Sequence, residues 1–159
     1  KGEGNLLSEL DEIIRIINNN ISLVEEKGIM LCLETNTFCY NNRSAGTGVL
    51  EFDYVFNHIH SPNVGICLDT GHAHVMGGLK QFLELFNTKI NYIHMHDNDG
   101  VHDMHIAPGQ GSIDWGQTFR LLKNMPERIP IMLEYPEKLG YDNSILKIKE
   151  ELYGSNING

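Results

Sequence analysis

Ile29-Met30-Leu31-Cys32-Leu33-Glu34 is an unbroken apolar run that stops on a carboxylate. A strand with one wet face alternates apolar and polar residues. An unbroken short run is the pattern of a strand covered on both faces in a parallel sheet. Val64-Gly65-Ile66-Cys67-Leu68 repeats it and stops on Asp69. Ile90-Asn91-Tyr92-Ile93-His94-Met95-His96 ends on an imidazole, and Ile129-Pro130-Ile131-Met132-Leu133 ends on Glu134. Helical periodicity fills the gaps. Leu6, Leu7, Leu10, Ile13, Ile14, Ile17, Ile21 and Val24 predict an amphipathic helix over residues 6–27, capped by Asn5 or Ser8 and stopped at Gly28. Shorter helices are predicted over 49–59, 79–86, 119–124 and 143–153, polar loops over 35–48 and 97–115, and a loose tail over 154–159. Strands alternating with helices make an α/β protein with a parallel sheet, read as a single domain over residues 1–159.

Composition narrows the function classes. Hydrophobic residues make up 41% and charged residues 21% of the 159, the balance of a globular chain. The net charge of −9 repels phosphate backbones, so a nucleic-acid role would require a local basic groove. The apolar runs are too short to cross a bilayer, and no membrane partner is expected. Lys1 opens no cationic, apolar leader. Cys32 and Cys67 lie inside apolar runs and, with Cys39, make an odd set. They read as reduced thiols, and a cytoplasmic location is expected. No Gly-x-Ser-x-Gly elbow and no Cys–His pair suggests a covalent nucleophile.

The strand ends carry the chemistry. Glu34, Asp69, His96 and Glu134 are each a metal-ligand type, and in parallel α/β folds the strand C-termini form the functional face. One such residue would be ordinary polarity; four from four strands predict a site. Three oxygens and one imidazole suit a divalent ion: manganese, magnesium, cobalt or zinc. His72 lies three residues beyond Asp69 and can face the same cavity. Asp103 and His105 form an Asp-x-His pair, which with His72 makes a substrate-contacting or second-metal set. His94 shares the parity of His96 and reads as a core histidine or a partner to the ligands. His58, His60 and His74 read as surface or packing residues. Pro108-Gly109-Gln110-Gly111 is a tight turn whose amides are open to a substrate oxygen, though turn geometry explains it equally well.

Leu33-Glu34-Thr35-Asn36, Cys67-Leu68-Asp69-Thr70-Gly71-His72, His94-Met95-His96-Asp97-Asn98-Asp99, Asp103-Met104-His105, Pro108 to Asp114 and Leu133-Glu134 together resemble the xylose-isomerase-like TIM barrels. That family comprises sugar phosphate isomerases and epimerases and the related endonuclease IV group. The resemblance runs from about residue 6 to 150 and implies a (β/α)8 TIM-barrel type fold. This chain would supply four βα units, strands five to eight: a C-terminal half barrel, since a whole one takes about 250 residues. It implies Glu34, Asp69, His96 and Glu134 as metal ligands. In the sugar branch, the position of His72 contacts substrate. In the endonuclease branch, the positions of His72, Asp103 and His105 hold an additional zinc. The implied activity is a divalent-metal-dependent sugar or sugar-phosphate isomerase or epimerase. It works through an enediolate, with Glu34 and Glu134 exchanging the proton. The alternative is an abasic-site DNA endonuclease with a multi-zinc centre, the one reading with a nucleic-acid partner. A metal-binding domain without turnover is the third reading. Ketohexose 3-epimerases carry an Asn-Arg clamp where this chain has Asp99-Gly100-Val101-His102, which argues against that specificity. A half barrel is expected to be inactive alone and to self-associate or pair with its missing N-terminal half.

Overall fold

The computed structural model describes residues 3–37, 45–126, 128–136 and 141–154. Cys39, Asn41, Asn42 and the tail beyond Gly154 lie outside that set. The order is α1 (Glu3–Glu26), β1 (Leu31–Glu34), α2 (Val49–His58), β2 (Val64–Asp69), α3 (Thr70–Val75), α4 (Leu79–Leu85), β3 (Ile90–Met95), α5 (Trp115–Lys123), β4 (Ile131–Leu133) and α6 (Tyr141–Tyr153). The strands form one parallel sheet in the order β1-β2-β3-β4. This is the expected partial barrel, with helices connecting each strand to the next.

Several boundaries differ from expectation. Helix α1 begins at Glu3, so Ser8 lies inside it and caps nothing at its start. Gly28 takes φ +61 and turns the chain. Ile29 and Met30 then lie exposed before pairing begins at Leu31, so β1 is shorter than its apolar run. Strand β4 starts at Ile131, but Pro130 already accepts from Ile93 N, and Glu134 N donates to Met95 O. The ladder therefore extends one residue beyond the strand at each end. Helix α3 is not predicted by the sequence pattern. Its six residues carry no 3.6-residue apolar stripe, and it forms because Asp69 accepts from His72 N as its N-cap. Helix α5 starts four residues earlier than expected, at Trp115, because Asp114 accepts from Gln117 N.

Register divides the sheet into two faces. Leu33, Ile66, Leu68, Ile93 and Met95 point into the layer of helices, where Phe52, Phe82, Phe86 and Phe119 complete the main core. A second cluster joins Leu10, Ile14 and Ile17 of α1 to Val55, Ile59 and Val64. The opposite face carries Cys67, Asp69, Tyr92 and His94, with Met132 48% exposed. That face is the concave side of the barrel. A bulge separates the Ile66–Ile90 pair from the Cys67–Tyr92 pair, so β3 holds one extra residue, Asn91. The Asn91 side chain occupies the space that a side chain on Gly65 would need. Among the described cysteines, Cys32 and Cys67 are free, and burial, with Glu34 nearby, pushes the Cys67 thiol up to about 12. Among the described residues, no helix is long and apolar enough to cross a membrane.

Candidate functional site

The seven site residues expected from the sequence converge with His94 at the C-terminal rim of the sheet in two groups of four, and His94 stands in the first group where His96 is expected, while His96 belongs to the second. Glu34, Asp69, His94 and Glu134 make the first; His72, His96, Asp103 and His105 make the second. Within each group one ligand atom per residue lies within 4.8 Å of the others. His94 is the residue whose place differs most from a core histidine. Its Nδ1 lies 3.0 Å from Glu34 Oε1 and 3.1 Å from Glu134 Oε2, between the two glutamates. His96 sits deeper, fully buried, with Nε2 2.9 Å from Asp69 Oδ1, so it links the two groups.

Strand ends are fixed by hydroxyls. Thr35 Oγ1 accepts from Asp69 N and donates to Asp69 O, tying β1 to β2. Thr70 Oγ1 accepts from His96 N and donates to His96 O, tying β2 to β3. Both threonines are buried, and each directly follows a candidate ligand. The repeated carboxylate-Thr pair, Glu34-Thr35 and Asp69-Thr70, was the available signal for them.

Two histidines of the second group are oriented for coordination. His72 Nδ1 lies 2.9 Å from Thr35 O and His105 Nδ1 lies 2.8 Å from Glu134 O. A carbonyl only accepts, so each Nδ1 carries the hydrogen, which in the neutral ring leaves Nε2 a lone pair to present. Those Nε2 atoms face Asp103 at 3.4 and 3.3 Å. His96 and His105 stack with ring centroids 3.9 Å apart and planes 9° off parallel. His105 takes φ +47, a left-handed conformation that costs a non-glycine residue on the order of 1 kcal/mol.

Buried polar atoms here lack hydrogen bonds. Asp69 Oδ2, His72 Nε2, His96 Nε2, both Asp103 carboxylate oxygens and Glu134 Oε2 are all in this condition. The 2.9 Å approach of His96 Nε2 to Asp69 is thus a close pair without hydrogen-bond alignment. Unsatisfied buried donors and acceptors are costly, and several converging in one place fit a cation that accepts their lone pairs. The donor set of imidazole nitrogen and carboxylate oxygen suits a divalent metal.

Electrostatics separates the two carboxylates flanking His94 and His96. Burial opposes ionisation of Asp69, but contact with His96 and His72 carries its carboxyl below the ordinary value. Burial and the neighbouring Asp69 raise Glu134 above the ordinary glutamate value. A carboxylate with a raised value is the more suited to hold and release a proton near neutrality.

Residues 3–152 match the model of the xylose isomerase-like TIM barrel family. The chain belongs to this family. Among curated relatives of this xylose isomerase-like chain, a probable endonuclease 4 of Mycoplasma pneumoniae is 30% identical over 142 residues, 80% of this chain and 48% of that one. An uncharacterised protein of Methanocaldococcus jannaschii is 32% identical over 130 residues, covering 76% and 42%. The crystal structure of a D-tagatose 3-epimerase-like protein superposes with a TM-score of 0.79 at 26% identity, over 94% of this chain and 58% of that one. The chain therefore spans about half the length of the relatives it matches.

Close packing makes the site sensitive at Gly71. A Cβ there would overlap the buried His96 ring. Gly71→Ala is expected to lower stability by about 1–3 kcal/mol, the cost of overpacking, and to weaken metal uptake together with it. Urea denaturation with and without added metal reads both.

Proposed function

We propose that this chain forms half of the catalytic mouth of a divalent-metal-dependent sugar or sugar-phosphate isomerase or epimerase. The observation that carries the reading is the pairing of Glu34 and Glu134 across one imidazole at the rim, beside Asp69. Glu34, Asp69, His94 and Glu134 would hold the ion, His94 standing where His96 is expected from the sequence. When bound, a divalent ion supplies Lewis-acid polarisation of a sugar carbonyl. The chain's own groups do the rest. One glutamate removes the proton from the carbon beside the carbonyl, giving an enediolate, and the other returns a proton to it. His72, of the second group, would hold a substrate hydroxyl.

The second group favours an alternative. His72, His96, Asp103 and His105 form a compact nitrogen-rich set suited to zinc, and a multi-metal centre is the apparatus of phosphodiester hydrolysis. That would make the protein an abasic-site endonuclease, and the mycoplasma relative is a probable endonuclease 4. The net charge of −9 weighs against a DNA partner.

Among the described residues the sheet ends at β1 and β4, and Met132 is exposed on its concave face, which supports a partner for the sheet. The proposed partner is the N-terminal half of the same barrel or a second copy of this one. The deciding experiment uses full-length protein loaded with manganese, magnesium, cobalt or zinc. It is offered a panel of ketoses, aldoses and their phosphates, and separately an abasic duplex. Turnover of a sugar supports the first reading. Incision of the duplex without sugar turnover transfers the assignment to the second. Metal uptake with neither activity overturns both.

A further inference from the structure

The loop that carries Asp103 and His105 is organised around one buried carboxylate that belongs to neither metal group. Asp97 is fully buried. Its Oδ2 accepts from Gly109 N at 2.8 Å, Gly111 N at 3.0 Å and Trp115 Nε1 at 2.7 Å. Its Oδ1 accepts from Asn98 N at 2.8 Å and Ile113 N at 3.2 Å. Five N–H donors thus converge on two oxygens. The amides of the Pro108–Gly111 turn, open to a substrate on sequence grounds, are spent inward on this side chain. The backbone of Asp97 adds a two-way bridge to Ile106, with N–O distances of 2.8 and 3.1 Å. Ile106 directly follows His105. The excursion from Asn98 to His105 is therefore closed at its base by the bridge, and its return strand is pinned by the carboxylate. Gly111 approaches so closely that a Cβ would overlap Asn98 O and Asp97 Oδ1.

We propose that Asp97 is the positioning residue of the second group: its carboxylate holds the loop so that Asp103 and the left-handed His105 stay over His72 and His96. The proposal rests on the metal reading only for its second readout. Charge and acceptor count explain why aspartate is required. Asparagine has the same shape, but its NH2 would face three donors in one orientation and two in the other. A neutral isostere therefore breaks the clamp, whereas a residue needed only for packing would tolerate it.

The test compares the full-length protein with its Asp97→Asn variant, first without metal. Amide hydrogen exchange over residues 103–113 is expected to accelerate at least tenfold, with β2 and β3 unchanged. Emission of Trp115, the one tryptophan of these 159 residues, is expected to shift to the red as the loosened loop admits water to its half-buried indole. With zinc added, affinity at the His72, His96, Asp103 and His105 set is expected to fall by at least tenfold, while uptake at the glutamate set persists. A folded Asp97→Asn variant with wild-type protection over 103–113 overturns the proposal. If Asp97→Asn does not fold, Trp115→Phe and Gly111→Ala decide. Trp115→Phe removes one donor and Gly111→Ala crowds the carboxylate, and each should accelerate exchange selectively over 103–113. Unchanged or uniformly faster exchange in both overturns it. Should the wild-type protein take up no ion at the second group, the metal reading fails there and the exchange measurements alone decide the role of Asp97.

Discussion

Glu134→Gln in the full-length, metal-loaded protein should lower kcat for the sugar reaction by about 100- to 10,000-fold, the span contributed by a positioned acid–base group. The substitution is narrow. Glutamine keeps the length of the side chain, and the backbone carbonyl of residue 134 still accepts from His105 Nδ1. The second group therefore keeps its geometry, and what is lost is proton exchange at one carboxyl together with one charged ligand of the first group, whose effect saturating metal offsets. KM should change far less than kcat, because the lost contribution belongs to the transition state rather than to ground-state binding. Steady-state kinetics at saturating metal, with bound metal measured on the same samples, separates the two. A kcat within a few-fold of wild type would remove Glu134 from the chemistry.

Asp69 offers the second large effect, because two of its roles can be separated by choice of substitute. Its Oδ1 caps helix α3 through His72 N, and the same carboxylate lies against the fully buried His96 ring. Asn caps helices about as well as Asp, whereas Ala loses about 1 kcal/mol at such a position. Asp69→Asn should thus fold with nearly unchanged stability, yet bind metal more than 100-fold more weakly. Removing a charged ligand should exceed the 10- to 100-fold loss typical of groups that only orient ligands. Asp69→Ala should show the same metal defect plus the loss of the cap. Calorimetric metal titration and urea denaturation of the two variants give the comparison. Wild-type metal affinity in Asp69→Asn would exclude the residue as a ligand.

The sheet was legible because each strand is an apolar run closed by a chemically distinctive residue. Glu34, Asp69, His96 and Glu134 mark the strand ends as clearly as turns would. The long periodic helix α1 was legible for the same reason, whereas α3 was not, since six residues with a single cap carry too little pattern. The site's membership could be read, but not its partition. Alternation along β3 puts His94 and His96 on one face, and it does not say that His94 falls between two glutamates from the flanking strands. Asp97 was the least visible. Its donors lie 1 to 18 positions away along the chain, and nothing in the local spelling of Pro108–Gly111 shows where those amides point.

The bulge at Asn91 bears on how this chain can vary. A strand has a period of two, so a single residue is the smallest change that exchanges its faces. Beyond the bulge, Ile93 and Met95 face the helices and the two histidines face the cavity. If Asn91 took a regular place in the ladder instead of bulging, that phase would reverse. Both imidazoles would enter the apolar layer, and the apolar pair would line the mouth. The bulge is therefore as much a determinant of the site as residue identity. A lineage that lost Asn91 would lose the bulge with it, and Tyr92 would still pair with Cys67 and keep every ligand on the cavity side.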